Sequence, residues 1–419
     1  MNLLSYPSLV EAPFISVRIG DYTFGAYTST SKKPNYISPV RVTYPNFMKS
    51  LSVVKTNGIV NVYTINMVYQ IRQGDDPNLL EKVFGSASRT RDIYITYGDC
   101  ASPSFVYKEE KALITKVSSS VNFNGSNISY TINCTSTAMG AQAGTHSFPA
   151  YTGKPSDVIK RLLSSEQYGL LDIFYGMRDN ALVQRYGLLL ANDKSVKIEQ
   201  KNNINILDYL NYLVGCMSDV NDPQDTALKK SRYYLNIVDD IRNDFRGPYF
   251  KITEVKSDAN YSSVPNLFEV DVNVPEKNFV TEFRITSDDS WSILYDYSQK
   301  LQQPSYVYRL NDDGKMTTEY SPTITKSGEF LRTTEAEKTW WTNMTQFPIS
   351  ATLTIKGLLR PAILMSYVRV NSYFYGQRHV SSGLYIITKQ VDSVDASGYK
   401  TTLSLTRIGG DTDDYTSHS

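Results

Sequence analysis

Gly383-Leu-Tyr-Ile-Ile-Thr-Lys-Gln-Val391, a turn at Asp395-Ala-Ser-Gly398, and then Tyr399-Lys-Thr-Thr-Leu-Ser-Leu-Thr-Arg407 form the stretch that decides the fold. Its first run is rich in β-branched and aromatic residues, which suit a pleated, half-buried surface. Its last run reads as a further strand that closes the set. Asp, Ser and Gly between the runs are turn chemistry. The stretch predicts a β-hairpin. Just upstream, Ile349 to Ile355 alternates as a strand does, Gly357 and Pro361 break the chain, and Tyr367 to Phe374 is another strand.

Further toward the N-terminus, Leu267-Phe-Glu-Val-Asp-Val-Asn-Val274 alternates strictly, and Phe279 to Thr286 and Trp291 to Tyr297 follow as strands. Residues 301–330 are polar with a turn at Asp312-Asp313-Gly314, and read as a hairpin insertion. Thr334-Glu-Ala-Glu337 is a capping box that opens a helix through Trp340, Trp341 and Met344. The tail from Gly409 is polar and is expected to be disordered.

The first 145 residues also read as short strands. Phe14 to Ile19, Val40 to Tyr44, Leu51 to Val54, Ile59 to Ile71, Asp92 to Tyr97, Ala112 to Val121 and Asn127 to Cys134 are separated by turns. Asn57-Gly58 is a type I′ hairpin signal. Only Pro77 to Phe84 looks helical there. Such a run of strands predicts a sandwich or barrel. Between residues 146 and 266 the character is mixed. Pro155 to Leu163 and Asn205 to Asp219 carry helical apolar stripes, and Val196 to Glu199, Tyr233 to Val238 and Tyr249 to Val255 are short strands.

The chain has 419 residues, which suggests several domains of ~100–150 residues each. With 43 Lys+Arg against 42 Asp+Glu it has no global pull on nucleic acid or an anionic membrane. No apolar run is long enough to span a bilayer. The N-terminus lacks the basic and apolar regions of a signal peptide, so synthesis and folding in a cytoplasm are expected. The five glycosylation-type triplets, at Asn124, Asn127, Asn133, Asn260 and Asn343, then read as chance. Thirty-two Tyr fit half-buried strand faces, or a surface that binds protein or sugar.

Chemistry-bearing patterns are sparse. Cys100, Cys134 and Cys216 have no zinc spacing and read as free thiols. No phosphate loop, nucleophile elbow or HExxH motif occurs. His146, His379 and His418 are far apart in the sequence. The acidic pairs Asp239-Asp240, Asp288-Asp289 and Asp312-Asp313 lie beside turns or strand ends, where Asp serves local hydrogen bonds more often than glycosidase chemistry. Lys229-Lys230 with Arg232 reads as a solvated face. No catalytic residue, cofactor or metal is expected.

Residues 333 to 408 resemble the central hub proteins of phage tails and related contractile injection machines. The resemblance rests on the order of Ala351-Thr-Leu-Thr-Ile-Lys-Gly357, Leu359-Arg-Pro-Ala362, Tyr385-Ile-Ile-Thr-Lys-Gln-Val391 and Tyr399-Lys-Thr-Thr-Leu-Ser-Leu-Thr-Arg407. Two positions depart from the pattern. Asp392-Ser393 stands where a His usually follows the Val-containing strand, and Pro361-Ala362 replaces Pro-Gly.

The resemblance implies a mainly β chain of α+β class with two antiparallel β-barrel tube domains, an α/β middle domain and an insertion. The expected boundaries are 1–145 for the first barrel, 146–266 for the α/β domain, 267–300 and 331–409 for the second barrel, 301–330 for the insertion, and 410–419 for the tail. It also implies a non-enzymatic baseplate hub in the virion. Three chains would set six barrels around a pore, adapting a sixfold tail tube to a threefold central spike. Implied partners are two further copies, a tail tube or tube-initiator protein, a central spike or tip protein, and the tape measure protein. Candidate assembly-interface residues are Val62, Thr64, Asn66, Val68, Thr352, Thr354, Tyr385 and Thr401; an ordinary barrel core is their other reading. Alternatives for the whole chain are a receptor- or carbohydrate-binding tail adhesin and a cell-wall hydrolase.

Overall fold

The computed structural model describes residues 13–20, 22–25, 42–44, 47–86, 92–99, 106–163, 195–217, 231–239, 249–256, 268–272, 280–287, 306–310, 316–320, 349–357, 364–375, 377–378 and 382–407. The first strand set comprises β1 (Pro13–Ile19), β2 (Tyr22–Gly25), β3 (Val42–Tyr44), β4 (Met48–Thr56), β5 (Val62–Gln70), helix α1 (Leu79–Ser86), β6 (Asp92–Asp99), β7 (Val106–Asn122) and β8 (Asn127–Ser136). The middle holds β9 (His146–Phe148), β10 (Tyr151–Gly153), α2 (Pro155–Leu163), β11 (Val196–Ile198), β12 (Lys201–Ile204), α3 (Ile206–Cys216), β13 (Ser231–Val238) and β14 (Tyr249–Lys256). The last set comprises β15 (Phe268–Val272), β16 (Val280–Ser287), β17 (Tyr306–Leu310), β18 (Met316–Tyr320), β19 (Ile349–Lys356), β20 (Tyr367–Phe374), β21 (Gln377–Arg378), β22 (Gly383–Asp395) and β23 (Gly398–Arg407).

The molecule is mainly β, with the mixed α/β region in the middle as expected. Hairpin β17–β18 lies within the expected insertion. The two strand sets join into one 15-stranded sheet, because β22 pairs with β4. No ladder closes either set into a barrel among the described residues. In the first set the reason is visible. β1 and β4 lie alongside each other, but the second edge of β1 is taken by β2 and that of β4 by β22. The sheet is also not wholly antiparallel, since β2–β3 and β15–β20 are parallel pairs. The helix expected from Thr334, the strand Trp291 to Tyr297 and the tail lie outside the described residues.

The two sets repeat one strand order. The first runs β1-β6-β7-β8-β5-β4 and the second β15-β20-β22-β23-β19-β16. Taken in chain order, each path visits its six strands in the same permutation. Register matches too. Ile65 pairs with Ile132 and Leu51, just as Leu353 pairs with Leu403 and Phe283. Both sets carry a β-bulge at the same place in the outer pair, between Met48 and Ser50 and between Val280 and Glu282. Both carry another in the long hairpin, between Ile114 and Lys116 and between Ile387 and Lys389. The skipped residue is Thr in each case. The Thr115 hydroxyl donates to the Asn133 carbonyl at 2.9 Å and the Thr388 hydroxyl to the Ser404 carbonyl at 3.2 Å, each across the hairpin. A bulge at a fixed position is a retained feature rather than noise. The first pairing departs from the match: β1–β6 is antiparallel and β15–β20 parallel.

Each region has its own apolar core. In the first set the alternate residues Tyr63, Ile65 and Met67 of β5 and Ile128, Tyr130 and Ile132 of β8 face inward, under Leu80 and Val83 of α1. The last set buries Ala351, Leu353 and Ile355 against Leu403 and Leu405. In the middle, α2 and α3 pack on β13 and β14 through Ile159, Leu210, Leu213, Leu235 and Ile252. Asn205 caps α3, its side chain accepting from the Asp208 N–H at 2.8 Å.

The Asn57-Gly58 connection differs from expectation. Strands β4 and β5 are joined by residues 57–61, and only Gly58 of that pair has a positive φ, at 69°. A type I′ turn needs both central residues there, whereas a type II turn needs only the second. Contacts outside the hairpin fix this geometry. The Gly58 N–H donates to Leu235 O at 2.9 Å, and the Asn57 N–H to Thr388 O at 3.2 Å. Asn211 Nδ2 donates to Gly58 O at 2.8 Å.

Candidate functional site

Among the described residues the buried charged groups are concentrated where the two strand sets meet. Along this seam Lys389 to Val394 of β22 pair with Thr56 to Leu51 of β4. Val394 and Tyr399 leave the last set and sink into the core of the first. Beneath the seam lies a buried polar network. Lys108 Nζ is 2.8 Å from Asp392 Oδ2 and donates to the Tyr399 hydroxyl at 3.0 Å. Asp392 also accepts from the Thr401 hydroxyl at 2.7 Å and from Gln390 Nε2 at 2.8 Å. Lys55 is ion-paired with Glu110. Glu110 accepts from Tyr97 at 3.1 Å and lies 2.6 Å from the Tyr63 hydroxyl.

The middle region contributes Asp239, at the end of β13. Its carboxylate accepts from Ser136 at 2.5 Å and from Asn61 at 2.8 Å, and lies 2.8 Å from the Tyr63 hydroxyl. The network thus draws on all three parts of the chain. Lys108, Glu110, Asp239 and Asp392 have no exposed surface. Buried charges persist only when paired and hydrogen-bonded, and here two ammonium groups face three carboxyls.

The surroundings divide these carboxyls. Burial pushes Glu110 up, but Lys55, the Tyr63 hydroxyl and Lys108 outweigh it and hold the group below its ordinary range. Burial likewise raises Asp392, and Lys108, Lys55 and Thr401 overcome it. Asp239 has no cation in contact. Burial and the Glu110 charge push it up to about 6 against the bonds from Ser136, Asn61 and Tyr63. Of the charged members only Lys55 keeps any exposed surface, 6%. The arrangement is suited to fastening the three parts together.

The sequence-chosen interface residues separate into two groups. Val62, Thr64, Asn66 and Val68 of β5, with Thr352 and Thr354 of β19, lie on the outward, exposed or half-buried face. Thr64 matches Thr352, and Asn66 matches Thr354, in the repeated register. Asn66 donates to Ser50 at 2.9 Å and accepts from Thr131 at 2.9 Å, while Thr354 and Thr402 are 3.3 Å apart. Tyr385 and Thr401 are instead interior, both with 0% exposure. They lie on the inward face of their strands.

Lys55, Lys108 and Glu110 were not singled out by sequence reasoning, because charged residues in a strand read as its solvent face. Asp392 carried a usable signal, since it is the departure from the hub pattern noted above. Of the acidic pairs, Asp239 is in the network, while Asp240, Asp288, Asp289, Asp312 and Asp313 lie outside the described residues. Cys134 is buried and its thiol is pushed up to about 12 by burial. His146 stands beside the Phe148 ring, and His379, His418, Cys100, Lys229 and Lys230 lie outside the described residues. Among the described residues no group of three His, Cys, Asp or Glu is arranged to hold a metal, and no helix is long and apolar enough to cross a membrane.

No family model matches the sequence, and no curated protein matches it. Similar solved structures are phage tail and type VI secretion proteins. A tail protein from Neisseria meningitidis is 10% identical, with 95% of this chain and 97% of that chain covered at a TM-score of 0.46. The 43 kDa tail protein of prophage MuSo2 from Shewanella oneidensis is 8% identical, with 95% and 99% covered at a TM-score of 0.49. An E. coli component of the type VI secretion system is 9% identical, with 88% and 75% covered at a TM-score of 0.46.

Proposed function

We propose that this chain is a structural hub subunit of a phage-type tail or baseplate, three copies of which set six strand units around a pore. A sixfold tail tube, or its initiator protein, docks on one side and a threefold spike or tip protein on the other. The tape measure protein meets the pore. Residues 1–145 form one tube-type unit, and residues 267–300 with 331–409 form the other. Residues 146–266 are the middle region and 301–330 an insertion. The hub is built in the host cytoplasm and carried in the virion.

The observation that carries this reading is the doubled strand order, matched through both bulges, with the two units joined edge to edge by β22 and β4. A chain made of two like units, repeated by a threefold axis, presents six near-equivalent surfaces to one neighbour and three to another. Extended strand surfaces do such work without a small-molecule site. The buried network supports a structural role, because its charged groups are spent on holding the parts in register.

Light scattering on the purified chain and negative-stain imaging test the proposal. A particle of about three times the 47.3 kDa chain mass with a central opening is expected, together with co-sedimentation with tail tube protein. A chain that stays monomeric at every concentration and binds neither tube nor spike protein overturns it.

A further inference from the structure

We propose that the exposed C-terminal half of β7 is the edge onto which a second copy of this chain lays its β16. This inference rests on the ring reading above and specifies how the ring closes.

The long hairpin strands β7 and β22 are equivalent in the repeat. Each gives its N-terminal half to one neighbour, β6 or β20, and its C-terminal half to the other hairpin strand. The second edge of the C-terminal half is where they differ. In β22 that edge is filled by β4, the outer strand of the first set. In β7 it pairs with nothing among the described residues. Burial registers the difference at one position. Val394 is 3% exposed under β4, while its equivalent, Val121, is 49% exposed. Phe123, at the hairpin tip, is 88% exposed. An open strand edge carrying apolar side chains is a template for another strand.

The repeat also identifies the occupant. The strand equivalent to β4 is β16, which ends the sheet path and has only β19 as a ladder partner among the described residues. Within one chain β16 and β7 are separated along the sheet by β19, β23, β22, β4, β5 and β8, so a second copy supplies it. In β22–β4, Val394 faces Leu51, Ser393 faces Ser52 and Val391 faces Val54. Carried through the match, Val121 faces Phe283, Ser120 faces Arg284 and Ser118 faces Thr286 of the second copy. Every unit then offers its hairpin edge to the outer strand of the next. That is a head-to-tail contact, which closes into a ring when the rotation permits.

The two seams differ in chemistry. The positions of Lys55, Tyr63, Glu110 and Asp392 are taken in the open seam by Ser287, Ala351, Gly383 and Ser119. With these four positions neutral, the seam has no equivalent of the buried ion network to assemble when it forms. It is therefore suited to joining chains that have already folded.

The test uses the full chain with cysteines at Ser120 and Arg284, both exposed, under mild oxidation. Single variants S120C and R284C control for the native thiols. The variant S52C/S393C reports the same geometry within one chain. A parallel arm measures oligomer mass for Val121→Lys, a substitution at a site exposed in the single chain. Expected are inter-chain covalent bands from S120C/R284C, intra-chain closure in S52C/S393C, and a Val121→Lys protein that is monomeric where the unmodified chain is assembled. If the unmodified chain and Val121→Lys assemble equally and S120C/R284C gives no inter-chain band, the edge proposal is overturned while the ring reading stands. If the unmodified chain never assembles, both fall.

Discussion

The Tyr63 hydroxyl lies 2.8 Å from the Asp239 carboxylate, and it has a single proton with which to serve both Asp239 and Glu110, 2.6 Å away. When that proton points to Glu110, an oxygen lone pair faces Asp239. A protonated Asp239 resolves the conflict by donating to Tyr63. This agrees with the carboxyl being pushed up to about 6 by burial and by Glu110.

The pH dependence follows. The ordinary Asp value is about 3.9, so between there and about 6 the folded chain holds a proton that the unfolded chain releases. This group's contribution is complete below the unfolded value and is lost as pH rises through about 6. Glu110 and Asp392, held low, act in the opposite sense and only at lower pH. Urea unfolding at pH 5 and pH 7.5 is expected to find Asp239→Asn more stable than the unmodified chain at the higher pH, by up to roughly 3 kcal/mol. At the lower pH the two should lie closer together. An Asn amide buries no charge there, and it can accept from Asn61 and donate to the Ser136 oxygen. A variant with the pH dependence of the unmodified chain removes Asp239 as its source.

Lys108 and Asp392 give a second prediction. Lys108→Met leaves Asp392 buried without its cation, at a cost of roughly 3–5 kcal/mol. Replacing both, as Lys108→Met with Asp392→Leu, removes the stranded charge and should recover part of that loss. A double-mutant cycle in denaturant measures the coupling. Simple additivity of the two single losses goes against a paired network.

Gly357 gives a third. A Cβ there would lie 2.3 Å from the Tyr399 ring, and the Tyr399 hydroxyl is tied to Lys108. The ring cannot yield cheaply. Gly357→Ala should lower stability by roughly 1–3 kcal/mol, the range for overpacking a core. A thermal melt unchanged from the parent speaks against the close approach.

The bulge threonines give a fourth. Thr388→Val deletes a part-buried hydroxyl that bonds across the hairpin, at a cost of about 1 kcal/mol. Thr115→Val, at the equivalent exposed bulge, should cost less, because water replaces its partner more easily. Chemical denaturation of the two variants ranks them. The reverse order would contradict the difference in burial.

Local patterns carried much of the fold. Pro155 at a helix start and the Val158, Ile159, Leu162 stripe located α2, alternation located β19, and strand-forming runs located β20 and β23. The first half of β7 was missed, because Lys108, Glu109, Glu110 and Lys111 look like a solvent face. Lys108 and Glu110 are paired instead with Asp392 and Lys55, which come from far away in sequence. The β22–β4 seam was hidden for the same reason. Each strand alone fits either an edge or an interior position, and only their meeting decides. The interface residues were chosen by strand rather than by face, so Tyr385 and Thr401 came in with the outward ones.

Gly58 has a mechanical consequence. Its N–H and carbonyl are held by Leu235 and Asn211 of the middle region, while the N–H of Asn57 beside it holds Thr388 on β22. A force that tugs the middle region outward would load this turn directly. The turn would pass that load to the strand pair that fastens one half of the chain to the other. A corner made to finish a hairpin thereby becomes a linkage through which a pull at one layer is felt at the joint.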